Sequence, residues 1–273
     1  MSESAHQGSV AGTHWDPNQY LKFTDHRLRP ALELLQRVPL TSPKVVYDLG
    51  CGLGNVTRMI ADQWPAADVY GLDHSQQMLE QAAVKSSRVH WLQADVRHWA
   101  PSESPDLMFS NATLQWIDGH DDLFPRLMSF LNSGGCLAVQ MPLSWSMPSH
   151  RLMREVLADG GVEGAPIGSE QLRVAVGRKW VEDAEIYYDL LVSRATNLDL
   201  WETEYLQVLS GQDPVLEWVK STGLRPILNG LDDEDREVFL VTYRQRLGQI
   251  YPKRSNGFTL YPFRRLFVVA IKA

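Results

Sequence analysis

The sequence predicts an α/β fold: a doubly wound, mostly parallel sheet of seven strands with helices on both faces and a helical cap over its carboxyl end. Three observations carry this. Between Pro43 and Gln140 short apolar runs alternate with helical periodicity, as parallel β/α units require. The first of those runs ends in a glycine-rich turn, Gly50-Cys51-Gly52-Leu53-Gly54, that leads into a helix. Beyond Pro148 the alternation stops, and two strand-like runs return only near the end of the sequence.

Taken in order, residues 1–13 are rich in Ser, Gly, Ala and His and are expected to form a disordered tail. Trp15-Asp16-Pro17 opens a helical segment, with Asp16 placed to cap it and Pro17 at its first position. Leu32, Leu35 and Val38 recur at helical spacing until Pro39 and Pro43 stop the helix. Five strands are expected at 44–49, 68–72, 88–93, 106–109 and 136–140, with helices at 55–63, 75–83 and 123–131. Further on, 150–158, 182–192, 214–222 and 232–249 read as helices and 160–168 as a glycine-rich loop. The run 198–209 mixes alternating, β-branched and aromatic residues, and 258–260 with 266–271 are expected to form a final antiparallel pair. This divides the chain into the tail, a ligand-binding core with an N-terminal lid at 14–148, and a helical substrate cap plus the last strands at 149–273.

With 273 residues, 44% of them hydrophobic, the chain can bury a full core without disulfides or metals. The formal net charge of −7 and the scattered Lys and Arg leave no basic stripe of the kind nucleic acid requires. Cys51 and Cys136 lack metal-ligand spacing, and so few cysteines point to a reducing compartment. Residues 1–14 lack the apolar core of a signal peptide, and no apolar run approaches the roughly 18 residues needed to span a bilayer. A soluble, cytoplasmic monomer without nucleic-acid, membrane or metal partners is expected.

In open α/β sheets ligands bind at the carboxyl ends of the strands. The first strand here ends in Asp48-Leu49-Gly50-Cys51-Gly52-Leu53-Gly54. Its glycine spacing is G-x-G-x-G, whereas a dinucleotide turn needs G-x-G-x-x-G. Asp48, two residues before Gly50, would repel a pyrophosphate and suits a ligand bearing a positive amine, such as the methionine part of S-adenosylmethionine. The second strand runs into Asp73, placed to accept both ribose hydroxyls, with His74 beside it. The third leads to Asp95 and Val96, which can pair with the adenine edge, while Met78 and Trp99 are candidates to sandwich the purine. The fourth leads to Asn111, facing the methionine end. Four such features at the ends of four successive strands form one nucleoside site.

These residues resemble the class I S-adenosylmethionine methyltransferases, which are Rossmann-like. Within that class the chain is similar to the family that methylates trans-aconitate. The stretches that carry the resemblance include Trp15-Asp16-Pro17 with Tyr20 and Phe23, Leu114-Gln115-Trp116, Ala138-Val139-Gln140-Met141-Pro142, Leu152-Met153-Arg154-Glu155, Thr222-Gly223-Leu224-Arg225-Pro226 and Arg265-Leu266-Phe267. The resemblance implies transfer of a methyl group to one carboxylate of a small polycarboxylic acid, giving a monomethyl ester. The stretch 160–179 is longer than the family's pattern, which bears on substrate identity. No general base is needed, because a carboxylate is already ionised at neutral pH. Arginine forks suit such an acid. Arg225 is the leading candidate, followed by Arg29 and Arg265, with Trp116 and Trp145 as pocket walls and Tyr20 in a lid over the methionine carboxylate. The alternative is methylation of a natural-product hydroxyl or another carboxylic acid. A phenol would require a base, and His74, His120 and His150 are the nearest candidates for one.

Overall fold

The computed structural model describes residues 24–85 and 88–273. Helix α1 (Thr24–Gln36) precedes β1 (Val45–Leu49), α2 (Asn55–Gln63), β2 (Asp68–Asp73), α3 (Gln76–Ala83), β3 (Val89–Gln93) and β4 (Leu107–Asn111). A 3-10 turn (Leu114–Trp116) leads to α4 (His120–Phe130) and β5 (Cys136–Pro142). Then come α5 (Pro148–Asp159), α6 (Glu170–Gly177), α7 (Ala184–Leu191), β6 (Ala195–Leu209), α8 (Pro214–Lys220), α9 (Arg225–Gly230), α10 (Asp233–Ile250) and β7 (Thr259–Lys272).

The sheet order is β3-β2-β1-β4-β5-β7-β6. Neighbouring pairs among β1 to β5 are parallel, and β7 is inserted antiparallel between β5 and β6. All five residues of β1 are buried, as are the first six of β5. Such unbroken apolar runs follow from helices covering both faces. Tyr47, Met108, Leu137 and Val139 pack with Leu123 and Phe124 of α4 and Tyr187 and Leu191 of α7. Val46, Phe109 and Ala138 meet Leu34 and Leu35 of α1 and Ile60 of α2 on the other face. The strand order reverses at β1, which pairs with β2 on one side and β4 on the other. The crevice beyond their carboxyl ends is therefore where a ligand is expected.

The cap has its own core. Met153 and Val156 of α5, Trp218 of α8, and Phe239 and Tyr243 of α10 close on Tyr261 and Phe263 of β7. The last strands differ from the expected local pair. Residues 258–260 and 266–271 belong to one region, β7, whose partner is β6 from Ala195 to Leu209. Pro262 lies between the two expected runs, and β7 pairs with β5 only from Arg265 onward. Before that its pairing is one-sided, and a residue without an N–H is tolerated there. Two cap helices, α6 and α9, have no counterpart in the periodicity. Both are short, α9 begins with Arg225-Pro226, and α6 follows a stretch read as loop. The expected Asp16 cap, the residue 1–13 tail and the Tyr20 lid lie outside the described residues.

Trp218 is fully buried and lies 6.0 Å, ring to ring, from both Tyr261 and Phe263. Trp218→Ala is expected to destabilise the fold by about 3–5 kcal/mol, because the cavity it leaves cannot collapse onto a sheet edge. Urea denaturation would measure this; a loss under about 1 kcal/mol would mean that the cap core does not contribute to global stability.

Candidate active site

The turn after β1 is left-handed at three glycines, with φ of +77° at Gly50, +54° at Gly52 and +68° at Gly54. Its shape is held from β2: the N–H groups of Gly50 and Cys51 donate to the Leu72 carbonyl at 2.7 and 2.9 Å. The Gly52 N–H donates to Asp73 Oδ2 at 2.9 Å. A Cβ at Gly50 would stand 2.1 Å from the Thr113 side chain, and one at Gly54 2.2 Å from Trp91. A Cβ at Gly52 would meet nothing within 4 Å. Gly50 and Gly54 are thus required by the protein's own packing, while Gly52 presents bare backbone to open space.

Two acids lie beneath this turn. Asp48 is only 3% exposed and accepts from Thr57 Oγ1 at 2.6 Å. Burial pushes its carboxyl up to about 7; the Thr57 hydrogen bond opposes this and the Asp73 charge adds to it. Asp73, 8% exposed, behaves in the opposite way. Burial raises it, but donors from His74, the Ser75 N–H and the Gly52 N–H together hold it below the ordinary range. Its partner His74 is raised in turn, chiefly by its hydrogen bond to Asp73. Ser75, not Asp73, caps α3, accepting from the Met78 N–H at 3.4 Å. Asp73 is therefore free of the capping role and joins two loops instead. Met78 is buried at the start of α3.

At the end of β3 the Arg97 guanidinium grips both oxygens of Asp95, at 2.5–3.0 Å, and holds its carboxyl at about 2. The sequence reading left Asp95 free for adenine; any ligand must share it with Arg97. The Val96 side chain lies in the core and its carbonyl accepts from Arg126 at 2.6 Å. Trp99 packs on Tyr47 at 4.8 Å and on Phe130 at 6.2 Å. It packs, partly buried, against the hydrophobic core under the sheet.

The turn after β4 is strained: Ala112 has φ +55°, a conformation alanine disfavours by about 1–2 kcal/mol. Thr113 fits against Gly50 and donates to its carbonyl at 3.2 Å, locking this turn to the first. Asn111 Oδ1 and Gln115 Oε1 are buried with no hydrogen-bond partner. Below them His120 is buried, with Nε2 3.0 Å from the Leu114 carbonyl and Nδ1 2.6 Å from the Tyr187 hydroxyl. A carbonyl only accepts, so Nε2 carries the hydrogen, Tyr187 donates to Nδ1, and the Glu182 N–H donates to Tyr187 at 3.1 Å. Burial lowers the His120 pKa and keeps the ring neutral. Both ring nitrogens are spent on fixing the 3-10 turn, so His120 is a support for Gln115 and Trp116 rather than a base.

A cavity of about 490 Å³ opens between this turn and the cap. Trp116 and Trp145 line it, 50% and 41% exposed. The segment after α8 contributes Thr222, Gly223 and Pro226, whereas Arg225 is half-buried and its charge is felt by His74 at the cofactor side. Two of the expected arginines lie elsewhere. Arg29 pairs with Glu33 at 2.7 Å and sits over the Tyr205 ring, on the outer face of α1. Arg265 is buried, donates to Gln140 Oε1 at 3.0 Å and lies over Phe263. Its neighbour Arg264 lines the cavity, because successive side chains on a strand point to opposite faces. His150, weighed in the sequence as a base, also lines the cavity, and three cationic lining residues were not foreseen: Arg154, Arg178 and Lys179. His150 and Arg154 are four apart on α5, a spacing visible in the sequence. The 160–179 stretch supplies Leu172, Ala175, Val176, Arg178 and Lys179. No group of three or more metal-ligating side chains occurs among the described residues.

The fold and the strand-end site define a class I methyltransferase. A family profile described as "Methyltransferase domain" matches residues 46–135. Among solved structures, phosphoethanolamine N-methyltransferase 2 of Haemonchus contortus, in complex with S-adenosylhomocysteine, aligns with a TM-score of 0.52 at 17% identity. That match covers 90% of this chain and 53% of that one. The YcgJ protein of Bacillus subtilis aligns with a TM-score of 0.54 at 11% identity, over 91% of this chain and 98% of that one. Closer in sequence, trans-aconitate 2-methyltransferase of Pseudomonas paraeruginosa is 45% identical, over 94% of both chains. The enzyme of that name from Methylobacterium radiotolerans is 46% identical, over 95% of this chain and 98% of that one. The chain belongs to the trans-aconitate 2-methyltransferase family.

The contrast among the glycines is testable. Gly52→Ala is expected to fold with a loss of only about 1–2 kcal/mol, since only its positive φ opposes a side chain, yet to weaken cofactor binding by more than tenfold. Gly50→Ala should lose both stability and binding, because Thr113 must move. Thermal unfolding together with calorimetric titration of S-adenosylhomocysteine would separate the two. Equal effects at both positions would contradict the open cradle at Gly52.

Proposed function

We propose that the chain transfers the methyl group of S-adenosylmethionine to a carboxylate of trans-aconitate, producing a monomethyl ester. The observation that carries this reading is that one turn serves two sites. Gln115, with its buried free acceptor, follows the β4 end that locks onto the glycine turn, and with Trp116 it lines the cation-bearing cavity. A donor bound on the first site therefore faces an acid held in the second.

The residues present fit the cofactor. Gly52 leaves an open backbone cradle, and Asn111 Oδ1 and Gln115 Oε1 are buried acceptors in want of donors. Asp48 and Gly52 would hold the amino-acid end, Asp73 the ribose, and Asp95, Val96 and Met78 the adenine; bound there, S-adenosylmethionine supplies an electrophilic methyl group. The chain's part is to hold the acid's carboxylate oxygen in line with that methyl and to keep water out. No residue has to remove a proton, since the acid is already ionised. That agrees with the state of the histidines: His120 is spent on support, and His150 is held neutral by burial, its pKa lowered to about 4. The reading places Arg225 at the cofactor side of the acid, with Trp116 and Trp145 as walls.

The partner is a small acid. We further propose a cytoplasmic monomer that binds neither nucleic acid nor membrane. The net charge of −7 supports this, as does the absence, among the described residues, of a helix long and apolar enough to cross a membrane.

Incubation with methyl-labelled cofactor and a panel of acids and phenols tests the activity. Label on trans-aconitate, released by mild base, is the expected result; base-stable label on a phenol would overturn it. Asp48 adds a pH signature. With its carboxyl near 7 in the free site, a cationic ligand binds the ionised form better and expels the proton. Cofactor affinity should therefore rise as pH rises through about 7 and level off above it. Calorimetry in buffers of different ionisation heat should register proton release near pH 6.5, and none in Asp48→Asn.

A further inference from the structure

The cavity contains four side chains that carry a permanent positive charge, and three of them are already compensated. Arg178 faces Asp118 at 4.0 Å, Lys179 bonds Asp183 at 2.8 Å and Glu182 at 3.3 Å, and Arg264 faces Glu202 at 4.0 Å. Arg154 has no acidic partner within 4 Å among the described residues. Its guanidinium lies over Trp145, with Cζ 4.2 Å from the ring centre, and gives one N–H to the His150 carbonyl at 3.2 Å. The aromatic backing supports the fork on one side and leaves its other donors for a ligand.

One helical turn earlier, His150 lines the same wall. The groups behind it accommodate a ring hydrogen on Nε2. Tyr261 is fully buried, and its hydroxyl lies 3.0 Å from Ser149 Oγ, which lies 3.1 Å from His150 Nδ1. With the tyrosine donating to Ser149 and the serine to Nδ1, the ring's hydrogen stands on Nε2. The Ser149 backbone is fixed as well, its N–H donating to Tyr251 and its carbonyl accepting from Tyr243. Nε2 faces Gly223, where a Cβ would stand 2.6 Å away. Glycine is required there by the close approach of the His150 ring. Burial and the Arg154 charge keep the ring neutral. The result is a neutral imidazole beside a cation with no ion-pair partner within 4 Å among the described residues.

We propose that the His150 Nε2–H and the Arg154 guanidinium together hold the carboxylates that are not methylated, and so set a preference for polycarboxylate over monocarboxylate acids. This rests on the carboxyl-methyltransferase reading above. The three-residue chain from Tyr261 through Ser149 to His150 makes the ring's position a property of the cap core.

The test uses the full chain with trans-aconitate and with crotonate, an unsaturated acid bearing a single carboxylate. His150→Phe and Arg154→Met are each expected to raise KM for trans-aconitate by about tenfold or more, the loss of one hydrogen bond to a charged group, with kcat little changed. The S-adenosylhomocysteine Kd and the kcat/KM for crotonate should stay at the parent values. His150→Gln, which keeps an N–H, should recover part of the loss. Normal cofactor binding with an unaltered tricarboxylate preference in both variants would overturn the proposal. If His150→Phe does not fold, Arg154→Met decides alone. A parent enzyme that methylates neither acid would instead remove the reading on which the proposal rests.

Discussion

The carboxylate of Asp73 is the interaction on which the cofactor cleft depends. One oxygen accepts from the Gly52 N–H and the other from the Ser75 N–H, so a single side chain ties the turn after β1 to the turn after β2. Parallel strands alone fix only the register, here Leu49 opposite Leu72. They do not fix how the two following loops lie. With Asp73 ionised and donors on both sides, the loops have one arrangement, and the bare backbone of Gly52 is left facing the crevice. Asp48 completes this from beneath. Two carboxylates so close do not favour double ionisation, and the structure resolves the conflict by giving the donors to Asp73 and the dry site to Asp48. A positive ligand is what lets both ionise.

The parts of the fold that were legible are those set by local pattern. The β/α alternation depends on periodicity, and α2 runs from Asn55 to Gln63 as its spacing requires. The glycine turn and Asp73 were legible because their role follows from position after a strand. The cap was not legible in the same way. α6 and α9 are short and take their stability from the cap core, through Leu172 and Ile227, which no window of sequence reveals. β7 was read as two runs, 258–260 and 266–271, because the one-sided pairing that carries it through Pro262 is a tertiary fact.

The site residues divide along the same line. Trp116 and Trp145 follow strand ends and reach the cavity. Arg29 and Arg265 were chosen by residue type, and topology sends them elsewhere. Arg264 and Arg265 form a doublet in sequence, and the alternation of β7 decides which of them meets a ligand. The sheet places Arg265 on Gln140 and Arg264 on the cavity side. His150 and Arg154 carried a usable signal, an imidazole and a guanidinium at helical spacing. The one missing fact was which face of α5 looks outward, and that is set by Met153 and Val156 turning into the cap core.

That last fact also explains how a chain with a net charge of −7 can receive a trianion. Charges beyond about 8 Å are largely screened at physiological ionic strength, so the global excess of acid is weakly felt inside the cavity. What a ligand meets is local. Three cations there already have carboxylate neighbours and contribute little net field, while Arg154 is left uncompensated against a tryptophan face. A cavity with every cation compensated would bind a polyanion poorly. One with none compensated would be unstable when empty, since like charges would be crowded into a partly dry space. One open arginine beside a neutral imidazole lies between these limits. It keeps the empty cavity stable and leaves the attraction to appear only when the acid arrives.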